Sequence, residues 1–354
     1  MKSLYACLFV GVAGACSSGS HFGDDGGTDG SPCNGCDGYT PPNDSGNQFG
    51  DTSSDAFNDG ATAVTTVYAN TDDTLYSLDP STNVVTLIGP FAGNSDAGDD
   101  DTVTDLAVNA NGDLYVNTES AIYTAALPTT IPGTVQLTKL ASIALATGQR
   151  FYALAFAPAG ALATTEVLIG GDGDGELYAI NTSNGTTQDL GSFGTDPSHS
   201  GYDFALSGDL VFYMDATNTP TGLATIRPCK PKTTTCLETS DYLAAVDMVA
   251  LKTAYTSTTP APSVRKGIYG GTSTSDGTGT NYGDLFGLGA WEGNVYAFAR
   301  KDTANATPLL ISIATSGGNA GQGSIISSAF SFTNGWSGAG VTTTVSVTVQ
   351  PPPN

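Results

Sequence analysis

Between Val103 and Thr124, apolar and polar positions alternate with a period of two, the spacing of a strand with one buried face. Leu106 and Val108 alternate with polar neighbours, and Asn111-Gly112 then makes a two-residue turn. Leu114 to Val116 resumes the alternation, and Glu119-Ser120 turns the chain into Ala121-Ile122-Tyr123. Asn-Gly between such runs is a strong hairpin signal, because both turn positions need positive φ. The stretch is expected to form three short antiparallel strands, with Val135 to Leu140 as the outer strand of the same sheet.

Versions of this unit recur. Ahead of it stand Val64 to Tyr68, Thr74 to Asp79 and Val84 to Ile88. Later units begin at Tyr152, Tyr202, Ala244 and Leu285, which with Thr104 gives spacings of 48, 50, 42 and 41 residues. Periods of about 40–50 residues with four short strands each are the signature of a β-propeller. The expected fold class is therefore all-β, a propeller over residues 61–350. Counting units gives six blades, with room for a seventh in the irregular residues 252–283. The first unit lacks its innermost strand, which Ser327 to Phe332 or Val341 to Val349 would supply from the far end of the chain. Leu75-Tyr76-Ser77-Leu78-Asp79 with Val84 to Gly89, and Leu177 to Asn181 with Thr187 to Gly191, resemble bacterial propellers of the NHL/quinoprotein-like type. The resemblance covers most of residues 61–315, and its motifs mark blades without carrying chemistry.

Composition adds an address. The net charge of −23 leaves no basic patch to neutralise phosphates, so a nucleic-acid partner is not expected. Residues 1–15 have the layout of a secretory signal: Lys2, then the apolar run Leu4 to Val12, then Ala13-Gly14-Ala15. That run, about 12 apolar or small residues, is short of the roughly 20 that span a bilayer. Ala13-Gly14-Ala15-Cys16 resembles the bacterial lipobox, with Ala13 where the family pattern prefers Leu. The resemblance implies a lipidated Cys16 and a membrane partner reached through acyl chains. Ordinary cleavage at an A-x-A-like site is the alternative. Ser17 replaces the Asp that retains such lipoproteins at the inner membrane, which points to the outer membrane of the cell envelope.

Residues 16–60 are rich in Gly, Asp, Ser, Asn and Pro, and no Lys or Arg balances their aspartates. A segment so poor in apolar surface is expected to be a disordered, extended tether. Of the six cysteines, Cys7 leaves with the signal and Cys16 takes the lipid. Cys229 with Cys236, and Cys33 with Cys36, are then expected to form local disulfides in an exported protein. Cys33-Asn-Gly-Cys36 lacks the strand and helix of a redox motif and the second ligand pair of a zinc site.

The catalytic inventory is thin. His199, in Asp196-Pro197-Ser198-His199, is the one histidine beyond the tether, and nothing beside it marks a nucleophile. Asp96 with Asp99 to Asp101, and Asp172-Gly173-Asp174-Gly175-Glu176, offer oxygen ligands of the kind Ca²⁺ takes, but Asp-Gly is also an ordinary turn. Asp105, Asp203, Asp247 and Asp284 stand at or near the starts of successive units. They are expected either to converge on a metal at one mouth of the channel or to cap backbone groups, the simpler account. Two functions follow. One is a binding or scaffold lipoprotein with a protein or glycan ligand and no cofactor. The other is a metal-dependent hydrolase resembling the propeller lactonases. The sequence favours binding over catalysis.

Overall fold

The computed structural model describes residues 66–344 except 95–101, 144–149, 216, 234, 238, 270–273, 278–280, 292–293, 301–306, 331 and 333–334. The expected signal, tether, Cys16 and Cys33/Cys36 pair lie outside the described residues, as do Asp96 and Asp99 to Asp101.

Strands β1 (Val67–Asn70), β2 (Thr74–Asp79) and β3 (Val84–Ala92) open the first sheet. The second is β4 (Asp105–Val108), β5 (Leu114–Asn117), β6 (Ala121–Ala126) and β7 (Val135–Ser142). The third is β8 (Phe151–Ala157), β9 (Val167–Asp172), β10 (Glu176–Ile180) and β11 (Thr187–Ser192). The fourth is β12 (Asp203–Met214), β13 (Pro220–Cys229), β14 (Tyr242–Val246) and β15 (Arg265–Ile268), with helix α1 (Met248–Ser257) between the last two. The fifth is β16 (Leu285–Trp291), β17 (Asn294–Ala299), β18 (Leu309–Ile313) and β19 (Gly323–Ser327). Strand β20 (Gly338–Gly340) returns to pair antiparallel with β1 and completes the first sheet. Pairing inside each sheet is antiparallel, and the first two sheets also touch edge to edge through a short parallel pairing of β3 with β7.

The innermost strands β20, β4, β8, β12 and β16 pack against one another in that order, and β16 packs on β20. The ring closes. Apolar side chains fill the spaces between neighbouring sheets. Leu75, Ile88, Leu106 and Tyr123 lie between the first and second, and Ala107, Phe151 and Tyr178 between the second and third. Leu177, Phe204 and Phe212 fill the next gap, and Tyr213, Leu288, Phe298 and Trp336 join the fourth, fifth and first sheets. This is the stacking of propeller blades, each sheet burying both faces against its neighbours.

The propeller has five blades among the described residues, where the period suggested six. In the sequence Tyr202 to Leu206 and Leu210 to Asp215 read as two strands with Ser207-Gly208-Asp209 between them, but the chain from Asp203 to Met214 runs on as the single strand β12, bent where the register shifts between Leu206 and Leu210. That β-bulge keeps one strand continuous across a Gly-Asp step that looks like a turn. The unit expected at Ala244 is therefore the third strand of the fourth blade, followed by α1. Asp247 caps that helix, its carboxylate accepting from the Val249 and Ala250 amides at 3.0 Å. Ring closure uses β20, which lies between the two segments expected to supply it.

The expected Cys229–Cys236 disulfide is present, with Cα atoms 3.9 Å apart. It clasps the loop after β13, where the Lys230 amide also donates to the Thr235 carbonyl.

Candidate channel-mouth site

Five inner strands around one axis leave little room, and the chain meets this with small residues. A Cβ on Gly338 would sit 2.1 Å from Asp105 Oδ1, and one on Gly208 would sit 1.9 Å from the Leu285 carbonyl oxygen. Polar groups then tie each blade to the next. Asp105 Oδ2 accepts the Leu154 amide of β8 at 2.6 Å, and Asp209 Oδ2 accepts the Leu288 amide of β16 at 2.6 Å. Asn117 Nδ2 donates to the Phe151 carbonyl, Thr225 Oγ1 to that of Leu285. These bonds satisfy backbone groups where sheets meet instead of continuing a ladder.

Above this floor one cavity of about 520 Å³ collects residues from all five blades. Its lining comes from the starts of inner strands and the turns that follow second strands, and in the fourth blade from the bulge of β12, Leu206 to Gly208. Tyr152 and Phe286 contribute aromatic faces, Glu119 and Asp72 carboxylates, and Thr102, Thr104 and Ser337 hydroxyls. Arg300 lies over the Phe286 ring, 5.6 Å from its centroid, and its Nη2 meets Asp72 Oδ2 at 3.1 Å. Ser337 donates to the other Asp72 oxygen. Arg150 holds Glu119 at 2.6 Å. Tyr152 remains 42% exposed, and burial of the rest with the Glu119 charge beside it pushes its phenol up. The mouth therefore holds two aromatic rings, the Phe286 ring beneath the Arg300 guanidinium, framed by fixed acceptors and donors.

The four aspartates expected to converge do not come together. Asp105 is fully buried on the axis, while Asp247 caps α1. Asp284 pairs with Arg227 at 2.9 Å, and Asp203 pairs opposite Cys229 in the β12–β13 ladder. The bulge in β12 is the reason. It carries Asp203 away from the axis and puts Asp209 in the position that faces Asp105. Among the described residues, no three His, Cys, Asp or Glu side chains gather into a group that could hold a metal. The Asp172 to Glu176 segment is a turn: Asp172 Oδ1 accepts the Asp174 and Glu176 amides at 3.0 and 2.9 Å. Burial raises the Asp172 carboxyl to about 6. His199 Nδ1 lies 2.6 Å from Asp196 Oδ2 in a local turn.

Sequence reasoning missed Asp209, Asp241 and Arg300. The signal for Asp209 is an acid between Leu206 and the apolar run Leu210-Val211-Phe212, with no second turn residue after it.

No family model matches the chain, and no curated protein matches it. Solved structures do. A protein of unknown function from Bacteroides caccae is 10% identical, with 79% of this chain and 99% of that one covered, at a TM-score of 0.37. The Dos1 propeller is 12% identical over 71% of this chain and 54% of its own, at 0.34. A second protein of unknown function, from Bacteroides thetaiotaomicron, is 14% identical over 77% and 58%, at 0.39. The chain thus spans little more than half of the last two.

Proposed function

We propose that the protein is a binding module of the cell envelope, held by a lipid on Cys16 and taking a short glycan at the channel mouth. The observation that supports this most is the cavity itself. Its volume falls in the range of sites for small ligands, and every blade contributes to it. Aromatic rings such as Tyr152 and Phe286 stack on the C–H faces of a sugar, and carboxylates and hydroxyls around them take its hydroxyl groups. Asp72, Arg300 and Ser337 already hold one another, so these polar groups are fixed before a ligand arrives.

Glycan-array screening of the full-length protein, followed by calorimetry, is expected to find a saccharide that binds. Tyr152→Ala should weaken it at least tenfold, about 1.4 kcal/mol. No bound saccharide, or one indifferent to both Tyr152→Ala and Phe286→Ala, would refute the reading. The anchor has its own test. Cys16→Ser should move the protein from the membrane fraction to the soluble one, and retention in the membrane would remove the lipid from the account.

A further inference from the structure

We infer that Asp105 and Asp209 share a single proton at the propeller axis, and that this proton clasps opposite sides of the ring. Both side chains are wholly buried, and their carboxyls lie within hydrogen-bond reach of each other. They belong to the inner strands of the second and fourth blades, which are not neighbours in the ring. Two ionised carboxylates side by side and wholly buried repel each other without the screening that a surface position would give, so one of them keeps a proton. Two arginines of the inner region are committed elsewhere. Arg300 holds Asp72 on the mouth side, and Arg227 holds Asp241 and Asp284 on the side of the fifth blade.

The donor pattern says which oxygen carries the proton. Asp209 accepts from the backbone amides of Leu210, Leu288 and Ala339, a set that suits the charged form. Asp105 Oδ2 takes the Leu154 amide, but Asp105 Oδ1 has no donor at all. Of the two carboxyls, the one with an unpartnered oxygen and fewer amide donors is the natural place for the O–H. Asp105 is thus the acid that donates, Asp209 the carboxylate that accepts. Burial, with the Asp209 charge next to it, holds the Asp105 proton well above the usual carboxylate range. Unlike a catalytic acid pair, this one is closed to substrate.

The consequence for stability has a definite sign. The unfolded chain releases this proton near pH 4 and the folded chain holds it to higher pH, so the folded state binds one proton more in between. The clasp is complete below pH 4 and weakens as pH rises. One excess proton means a tenfold fall in the folding constant per pH unit. Asp209 itself, Asp172 and Asp241, all raised by burial, add slope of the same sign, so the shared proton is read as a difference between variants.

The test is denaturant unfolding of the full-length protein from pH 5 to pH 8, comparing wild type with Asp105→Asn and Asp209→Asn. The Asp105→Asn amide can still donate to Asp209 without titrating. It should fold, and its stability should fall less steeply with pH by up to tenfold per unit. Asp209→Asn replaces the acceptor of three amides and should be far less stable. Equal slopes for wild type and Asp105→Asn, or equal tolerance of the two variants, would overturn the assignment. If Asp105→Asn does not fold, infrared spectroscopy of the wild type decides: a protonated carboxyl band at pH 7 is expected, and its absence overturns the proposal. So would a melting temperature that drops on chelation, since a cation would then hold the pair.

Discussion

Gly338→Ala is expected to lower the unfolding free energy by about 3 kcal/mol, the upper part of the range for overpacking a close-packed interior. The added methyl would stand 2.1 Å from Asp105 Oδ1, 2.6 Å from the Asp105 Cα and 2.8 Å from Asn70 Oδ1. None of these can yield cheaply. Asp105 is tied to the third blade through the Leu154 amide, and Asn70 Nδ2 bonds the Thr71 carbonyl at 2.9 Å. Relief must come from moving β20, which is the strand that closes the ring between the first and fifth blades. The loss should appear in urea melts as a lower midpoint. Gly318→Ala is the control, because nothing lies within 4 Å of its added Cβ, and it should change stability by less than about 0.5 kcal/mol. A Gly338→Ala protein as stable as the control would mean that β20 is not held tightly against β4.

The same crowding explains what could be read in the sequence and what could not. Strands with clean alternation and a turn residue at each end, such as Leu114–Asn117 and Glu176–Ile180, were legible because one local rule decides them. The number of blades was not, since it turned on whether Ser207-Gly208-Asp209 is a turn or a bulge. Both satisfy the local pattern, and only the partner strand β13, continuous from Pro220 to Cys229, separates them. The candidate site shifted for that reason. Asp105 opens the inner strand β4 and is buried there, and the carboxyl that meets it is Asp209, six residues past the Asp203 that strand counting selected. The polar mouth was illegible for another reason. Asp72, Arg300 and Ser337 are far apart in sequence and meet only because the ring closes. Long-range closure leaves no periodic trace.

Arg227→Met should lose about 3–5 kcal/mol, the range for breaking a buried ion pair by removing one partner. Arg227 Nε and Nη2 both donate to Asp241 Oδ1, at 2.9 and 2.7 Å, and Nη2 also reaches Asp284 Oδ1 at 2.9 Å. Asp241 is fully buried, and its other oxygen accepts the Leu285 amide at 2.8 Å, so the pair links the fourth blade to the first residue of β16. Burial already raises the Asp241 carboxyl, and the guanidinium is what opposes that rise. Without Arg227 the carboxyl must rise further. A carboxyl raised in the folded state destabilises most at high pH, where the unfolded chain ionises freely, and least near pH 4 and below, where both states are protonated. The deficit of Arg227→Met should therefore be largest at pH 7 to 8 and shrink as pH falls. Adding Asp241→Asn should recover part of it at pH 7, because the amide keeps an acceptor for Leu285 and carries no charge. Arg150→Met, which breaks the exposed pair with Glu119, should leave stability close to that of the wild type at every pH. A deficit for Arg227→Met that is small, or the same at pH 5 and pH 8, would show that Asp241 does not depend on the guanidinium for its charge.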